Sequence, residues 1–281
     1  MNRVKAKLLF TGIIAATSAL AQSWNHDPAS AIGPNNWGFL GSTYNSFATC
    51  GTSAVEVGRK ETPIDIVTGK AVRSDLKNIY FQYKDTPFKV SNTLHVVEVE
   101  YEPGSQIQFS PSDATSRYTL LQFHFHAPSE HRINGQLADA ELHLVHQNAL
   151  GELAVVGVLL KIDNKNANPL FDQIMNGAPV GVVASTENNL GGEINSKDLL
   201  PKGRSSYYTY TGSLTTPPCT EGVNWYVLSN TAAISSAAVS QYHQIISLFP
   251  NYNLFPNNNR PIRGLNGRAV LFNAQNGGDH R

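Results

Sequence analysis

The chain has 281 residues, with 21 Lys+Arg against 21 Asp+Glu and only 15% charged side chains, against roughly 25% in an average domain. With no basic excess it lacks the electrostatic footprint of a nucleic-acid binder. Its 41% hydrophobic content, including 12 Phe and 11 Tyr, is enough for a sizeable core and argues against disorder.

The N-terminus is the first element. Arg3, Lys5 and Lys7 precede an uncharged stretch from Leu8 to Ala21 that closes on Ala19-Leu20-Ala21. A basic start, a short apolar stretch and an A-x-A site predict a secretory signal peptide over residues 1–21, cleaved after Ala21. A membrane anchor would need about 20 apolar residues, and no second apolar span follows. The remaining 22–281 is expected to be one exported domain, secreted or periplasmic and slightly acidic, with no stable membrane span. Export bears on Cys50 and Cys219, the only cysteines. An oxidising compartment permits them to bridge, and chain entropy sets the benefit at roughly 5 kcal/mol for so long a loop. Two buried free thiols are the alternative.

Strand signals dominate the rest of the chain. Residues Leu94–Tyr101, Tyr118–His126, Glu141–Gln147, Leu153–Ile162, Tyr207–Tyr210 and Val223–Leu228 are rich in β-branched and aromatic side chains. Turn signals such as Pro103-Gly104 and Asn134-Gly135 separate them, and Ala149-Leu150-Gly151-Glu152 reads as a hairpin connection. Helical spacing is confined to Asn168–Met175 and Ser235–Leu248, the second stopped by Pro250. Asn257-Asn258-Asn259 reads as a turn. With no linker-like break, the pattern predicts a single β-dominated α+β domain with short surface helices.

Five of the nine histidines, His124, His126, His131, His143 and His146, fall between residues 124 and 146. Strand alternation places Gln122, His124 and His126 on one face and Phe123 and Phe125 on the other. On the next strand Glu141, His143 and Val145 share a face, opposite Leu142, Leu144 and His146. If the two strands are antiparallel neighbours, three imidazoles converge. Three neutral imidazoles with an open fourth position describe a catalytic zinc site, whereas a closed structural zinc would want a fourth protein ligand, usually Cys. Hydrogen-bonded core histidines and the H-x-H pairs of unrelated metal proteins remain alternatives on spacing alone. Gln122 and Glu141 favour the metal, since a ligating His passes its second N–H to an amide oxygen or a carboxylate.

At this point the residues resemble a known family, the α-class carbonic anhydrases. The match lies in Gln122-Phe123-His124-Phe125-His126, Pro128-Ser129-Glu130-His131 and Glu141-Leu142-His143-Leu144-Val145-His146. It continues through Tyr207-Tyr208, Gly212-Ser213-Leu214-Thr215-Thr216-Pro217-Pro218-Cys219, Trp225 and Asn259-Arg260-Pro261. The resemblance implies a large, twisted, mostly antiparallel central sheet with zinc at the base of a conical cleft. The implied activity is that of a lyase that reversibly hydrates carbon dioxide to bicarbonate and a proton through zinc-bound hydroxide. Zinc on His124, His126 and His143 would lower the pKa of a bound water to about 7, the value known for carbonic anhydrases themselves. It further implies that Thr215 accepts a hydrogen bond from that hydroxide and donates its own proton to Glu130, and that Thr216 helps position substrate. Val145, Val155, Leu214, Val223 and Trp225 would form the apolar wall for carbon dioxide, and His95 the proton shuttle, a role for which an unperturbed imidazole is suited. Taken singly, the Thr-Thr-Pro-Pro run reads as a turn, the wall residues as core and His95 as a surface histidine.

Three positions depart from the family pattern. Phe39, after Trp37-Gly38, stands where a Tyr is usual, so a hydroxyl that orders cleft water is expected to be missing. Glu61 replaces a common Gln. Glu98 occupies a cleft position that is often an amide and is expected to hold His95 protonated. Two other function classes fit the same fold: a metal-free binding or storage protein, and a zinc esterase, the latter expected as a side activity.

Overall fold

The structure is a computed structural model that describes residues 24–40, 47–51, 59–110, 113, 116–181 and 186–273. The expected signal peptide over 1–21 lies outside the described residues. Ten strands carry the main sheet. In chain order they are β1 (Val72–Arg73), β2 (Thr86–Asn92), β3 (Val97–Glu100), β4 (Arg117–His126), β5 (Ala140–Gln147), β6 (Leu153–Ile162), β7 (Thr186–Ile194), β8 (Tyr207–Ser213), β9 (Glu221–Leu228) and β10 (Leu271–Asn273). Their spatial order is β7-β2-β3-β4-β5-β6-β9-β8-β10-β1, within a 13-stranded sheet that also takes in three short strands off this path. Pairing is antiparallel except at β6/β9, at β10/β1 and where Ala232–Ile234 joins β6. A three-stranded sheet of Asp65–Ile66, Arg132–Ile133 and Gln136–Leu137 stands apart.

The expected strands form with small changes at their ends, and the sheet's two faces follow from their alternation. One face buries Phe123, Phe125, Leu142, Leu144, Val156 and Val158 against helices α1 (Pro169–Gly177) and α2 (Ser236–Ser247). Both helices begin at a capping side chain: Asn168 accepts from the Leu170 amide and Ser235 from the Ala238 amide, each satisfying an otherwise unpaired donor. The opposite face carries the histidine and carboxylate cluster beside a smaller apolar cluster around Trp225. Cys50 and Cys219 form a disulfide across a sequence separation of 169, and the Asn148–Glu152 hairpin closes as expected.

Two strands differ from expectation. Leu94–Tyr101 shortens to β3, because Leu94 takes a left-handed φ of 69° in a turn closed by Asn92 Oδ1 on the Leu94 amide. β7, with the sequence TENNLGGEI, is exposed along nearly its whole length and has no apolar alternation to announce it.

Candidate metal centre

A single row of the ladder crosses the polar face. Backbone register pairs Ser91 with Glu98, Glu98 with His124, His124 with His143, and His143 with Gly157. Directly opposite residues project to the same side, so His124 and His143 meet across the β4/β5 pair and His126 joins them two residues along β4. Ring centroids lie 5.3 Å apart for His124–His143, 5.2 Å for His124–His126 and 4.8 Å for His126–His143.

Each ring has one nitrogen occupied. His124 Nδ1 bonds Gln122 Oε1 at 2.8 Å, His126 Nδ1 bonds the Asn258 carbonyl at 2.7 Å, and His143 Nε2 bonds Glu141 Oε1 at 2.9 Å. An N–H directed at each acceptor leaves His124 Nε2, His126 Nε2 and His143 Nδ1 as lone-pair nitrogens. One nitrogen from each ring lies within 4.8 Å of the others. His126 Nε2 is buried with no hydrogen-bond partner among the described residues, a costly state for a polar atom unless something binds it. Burial, the largest cause, lowers the pKa of all three, to about 4 for His126, so the rings are held in the neutral form that ligates a metal. The donor set therefore fits a zinc ion.

Glu141 is the organiser of this group. Besides His143, its Oε1 accepts from His131 Nδ1 at 2.6 Å, and its Oε2 accepts the Glu130 and His131 amides, both at 2.8 Å. Burial opposes the charge, but His131 and His143 hold the carboxyl well below its usual range. His131 Nε2 bonds the Tyr210 hydroxyl at 2.6 Å. Gly157 makes room for Glu141, since a Cβ there would sit 3.2 Å from Oε1.

Glu130 is buried beside the ligands, with Oε1 accepting the Arg260 amide at 2.8 Å. Burial pushes its pKa to about 7, against the favourable effects of His143, the Arg260 amide and the nearby Thr215 hydroxyl. Among the described residues no short hydrogen bond closes on Oε2. Thr215 and Thr216 sit on a loop fixed at both ends: the Leu214 amide donates to Thr220 and the Cys219 amide to Thr216. The expected wall residues come together, with Val145 and Leu214 packed on a cluster that contains Val155, Val223 and Trp225. The Trp225 ring lies 4.8 Å from His143.

His95 stacks face to face on Trp24, at 3.6 Å between ring centroids, and burial lowers its pKa to about 4. Burial dominates at this ring, so the neutral form is favoured in place of the protonated one expected beside Glu98. Glu61 finds a cationic setting instead: it pairs with Arg260 and lies 3.7 Å from Arg263 Nε.

Phe39 requires a correction. The short 3-10 turn Trp37–Phe39 buries Trp37 and points Phe39 outward, 70% exposed. The buried wall is lined by His26, to which the sequence alone assigns no role. Its Nδ1 bonds the Tyr252 hydroxyl, its Nε2 is buried without a partner among the described residues, and its ring lies 6.2 Å from His126. Asn258, within the expected turn, is fully buried. Its carbonyl fixes His126, and its side chain bonds the Ala127 amide, the His95 and Phe125 carbonyls and the Tyr242 hydroxyl. An i, i+2 Trp–His pair and a polar triplet are the available signals, and both are ambiguous without the fold.

Three histidines on one face of a twisted, mostly antiparallel sheet, each with its second nitrogen anchored, form a group that could hold a metal ion. The family model for eukaryotic-type carbonic anhydrase matches residues 33–274, and the chain belongs to that family. A carbonic anhydrase from Nostoc is 36% identical over 90% of this chain and 88% of its own. The solved α-carbonic anhydrase of Thermovibrio ammonificans, in complex with the inhibitor sulfanilamide, superposes with a TM-score of 0.76. It is 31% identical, and the match covers 89% of this chain and 99% of that one. A dioscorin from Dioscorea japonica is 29% identical over 95% of this chain and 92% of its own.

Proposed function

We propose that the chain is a zinc enzyme that reversibly hydrates carbon dioxide to bicarbonate and a proton. The observation that carries this reading is the convergence of three neutral imidazole nitrogens whose ring partners are already satisfied. Zinc held by His124, His126 and His143 would supply Lewis acidity sufficient to make a water acidic near neutral pH.

The chain's own groups do the rest. Gln122, the Asn258 carbonyl and Glu141 fix the tautomer and orientation of the three rings. Glu130, held by the Arg260 amide, accepts the hydrogen bond that the Thr215 hydroxyl donates, which leaves a Thr215 lone pair facing the cleft. Thr216 positions substrate beside it. Val145, Val155, Leu214, Val223 and Trp225 receive an apolar substrate and keep bulk water from that side of the cleft. His95 occupies the position from which the proton would leave; burial, which lowers its pKa to about 4, works against its taking up a proton near neutral pH. The same site attacks activated esters as a side activity. The disulfide and the basic-apolar N-terminus support an exported, extracytoplasmic protein whose mature chain begins after Ala21. Among the described residues no helix is long and apolar enough to cross a membrane.

The test is zinc content of residues 22–281 followed by carbon dioxide hydration, with and without His143→Ala. One zinc per chain and a rate that falls at least a hundredfold in the variant is expected. Metal-free protein after incubation with excess zinc would favour the binding or storage reading instead.

A further inference from the structure

Glu98 stands out on the metal-centre face because no cation among the described residues neutralises it. Backbone register places it directly opposite His124 on one side and Ser91 on the other. Paired side chains lie roughly 5 Å apart at Cβ, so the carboxylate is one ladder step from a ligand ring and two from His143. The charged and titratable groups that face it can be named. On its own strand Glu100 is a like charge; on β4 lie Gln122 and the neutral His124; on β2 lie Ser91 and Lys89, the last engaged with Glu187 at 3.3 Å. Among the described residues no cation pairs with Glu98 and no hydrogen bond holds its carboxylate.

A half-buried carboxylate without a partner is unfavourable for folding. Packing does not require it, since β3 is already anchored through Val97 and Val99, both fully buried. Glu61, the other acid that departs from the family pattern, is by contrast matched by Arg260 and Arg263. A carboxylate beside an open metal position has, when ionised, one direct electrostatic consequence. It opposes the arrival of anions and leaves neutral molecules unaffected.

From this placement we infer that Glu98 is a specificity-determining residue that selects against anionic ligands at the metal centre while admitting neutral ones such as carbon dioxide. The inference rests on the zinc reading above. Burial and the neighbouring Glu100 push the Glu98 carboxyl up to about 7, so the test is run at pH 8.5, where the group is ionised.

The experiment is calorimetric titration of zinc-loaded full-length protein with two probes. Thiocyanate is anionic, and imidazole is uncharged at pH 8.5; both bind metals. Wild type is compared with Glu98→Asp, Glu98→Gln and Glu98→Lys at low ionic strength, where the Debye length exceeds the separation. Removing one unit charge at this range is expected to tighten thiocyanate binding three- to tenfold in Glu98→Gln. Glu98→Lys should tighten it further, and Glu98→Asp should stay within twofold of wild type. Imidazole affinity should remain within twofold throughout. Thiocyanate affinity unchanged in the Gln and Lys variants, or imidazole affinity moving in parallel, overturns the inference while leaving the zinc reading intact. A wild-type protein that takes up no zinc overturns both.

Discussion

His146 lies three residues beyond His143 on β5 but faces the other side of the sheet, where its Nε2 meets the Tyr83 hydroxyl at 2.8 Å. Burial lowers its pKa to about 3, against about 6.5 in an unfolded chain. Below pH 6.5 the unfolded chain therefore binds a proton that the folded one refuses, and stability is lost as pH falls through the window from 6.5 to 3. One such proton corresponds to about 1.4 kcal/mol per pH unit. His146→Gln should reduce the slope of unfolding free energy against pH by about that amount between pH 6 and 4, as read from urea melts. Identical slopes would show that His146 does not carry this sensitivity. The same alternation that places His146 in the core places His124, His126 and His143 outside it, and this much is legible from periodicity alone. Periodicity does not reveal His26 and Asn258, which reach the site from irregular segments far away in sequence. Phe39 escapes a correct reading for a related reason: without the turn at Trp37–Phe39, inside and outside cannot be told apart.

At the scale of elements, the strands that build the site are the legible ones. They are buried on at least one face, and burial is what writes alternation into a sequence. β7 is polar and exposed on both faces, so nothing in its composition separates it from a loop. Two glycines show how closely the elements approach one another. Gly157 accommodates Glu141 between β5 and β6. At Gly212, near the end of β8, a Cβ would lie 2.0 Å from Thr62 Oγ1 and 2.8 Å from the Tyr210 ring. The Thr62 hydroxyl also accepts the Ser213 amide at 3.0 Å, so displacement there shifts the start of the Thr215 loop. Gly212→Ala should cost about 1–3 kcal/mol of stability through overpacking and lower the hydration rate as well. Gly69→Ala, where a Cβ meets nothing within 4 Å, should stay within about 0.5 kcal/mol of wild type. Equal stability of the two variants would contradict the close approach at Gly212.

For the whole molecule, fold and site are one construction. The sheet supplies the ligands from its middle strands, and two long-range connections close the cleft around them. Arg260 joins Glu130 through its amide to Glu61, Thr62 and Cys50 through its guanidinium. Cys50 is in turn bonded to Cys219, at the end of the Thr215–Thr216 loop. Removing that bridge would be expected to cost about 2–5 kcal/mol and to loosen the loop that carries both threonines. The cysteine pair is legible from export and parity, but the route from the bridge to Glu130 is not, because it runs through backbone carbonyls. The central claim is that three particular ring nitrogens hold one zinc ion. Diffraction at the zinc absorption edge from crystals of the full chain tests it most directly. The account predicts a single anomalous peak within about 2.0–2.1 Å of His124 Nε2, His126 Nε2 and His143 Nδ1. A peak bound by other side chains, or no peak in protein crystallised with zinc present, would contradict it.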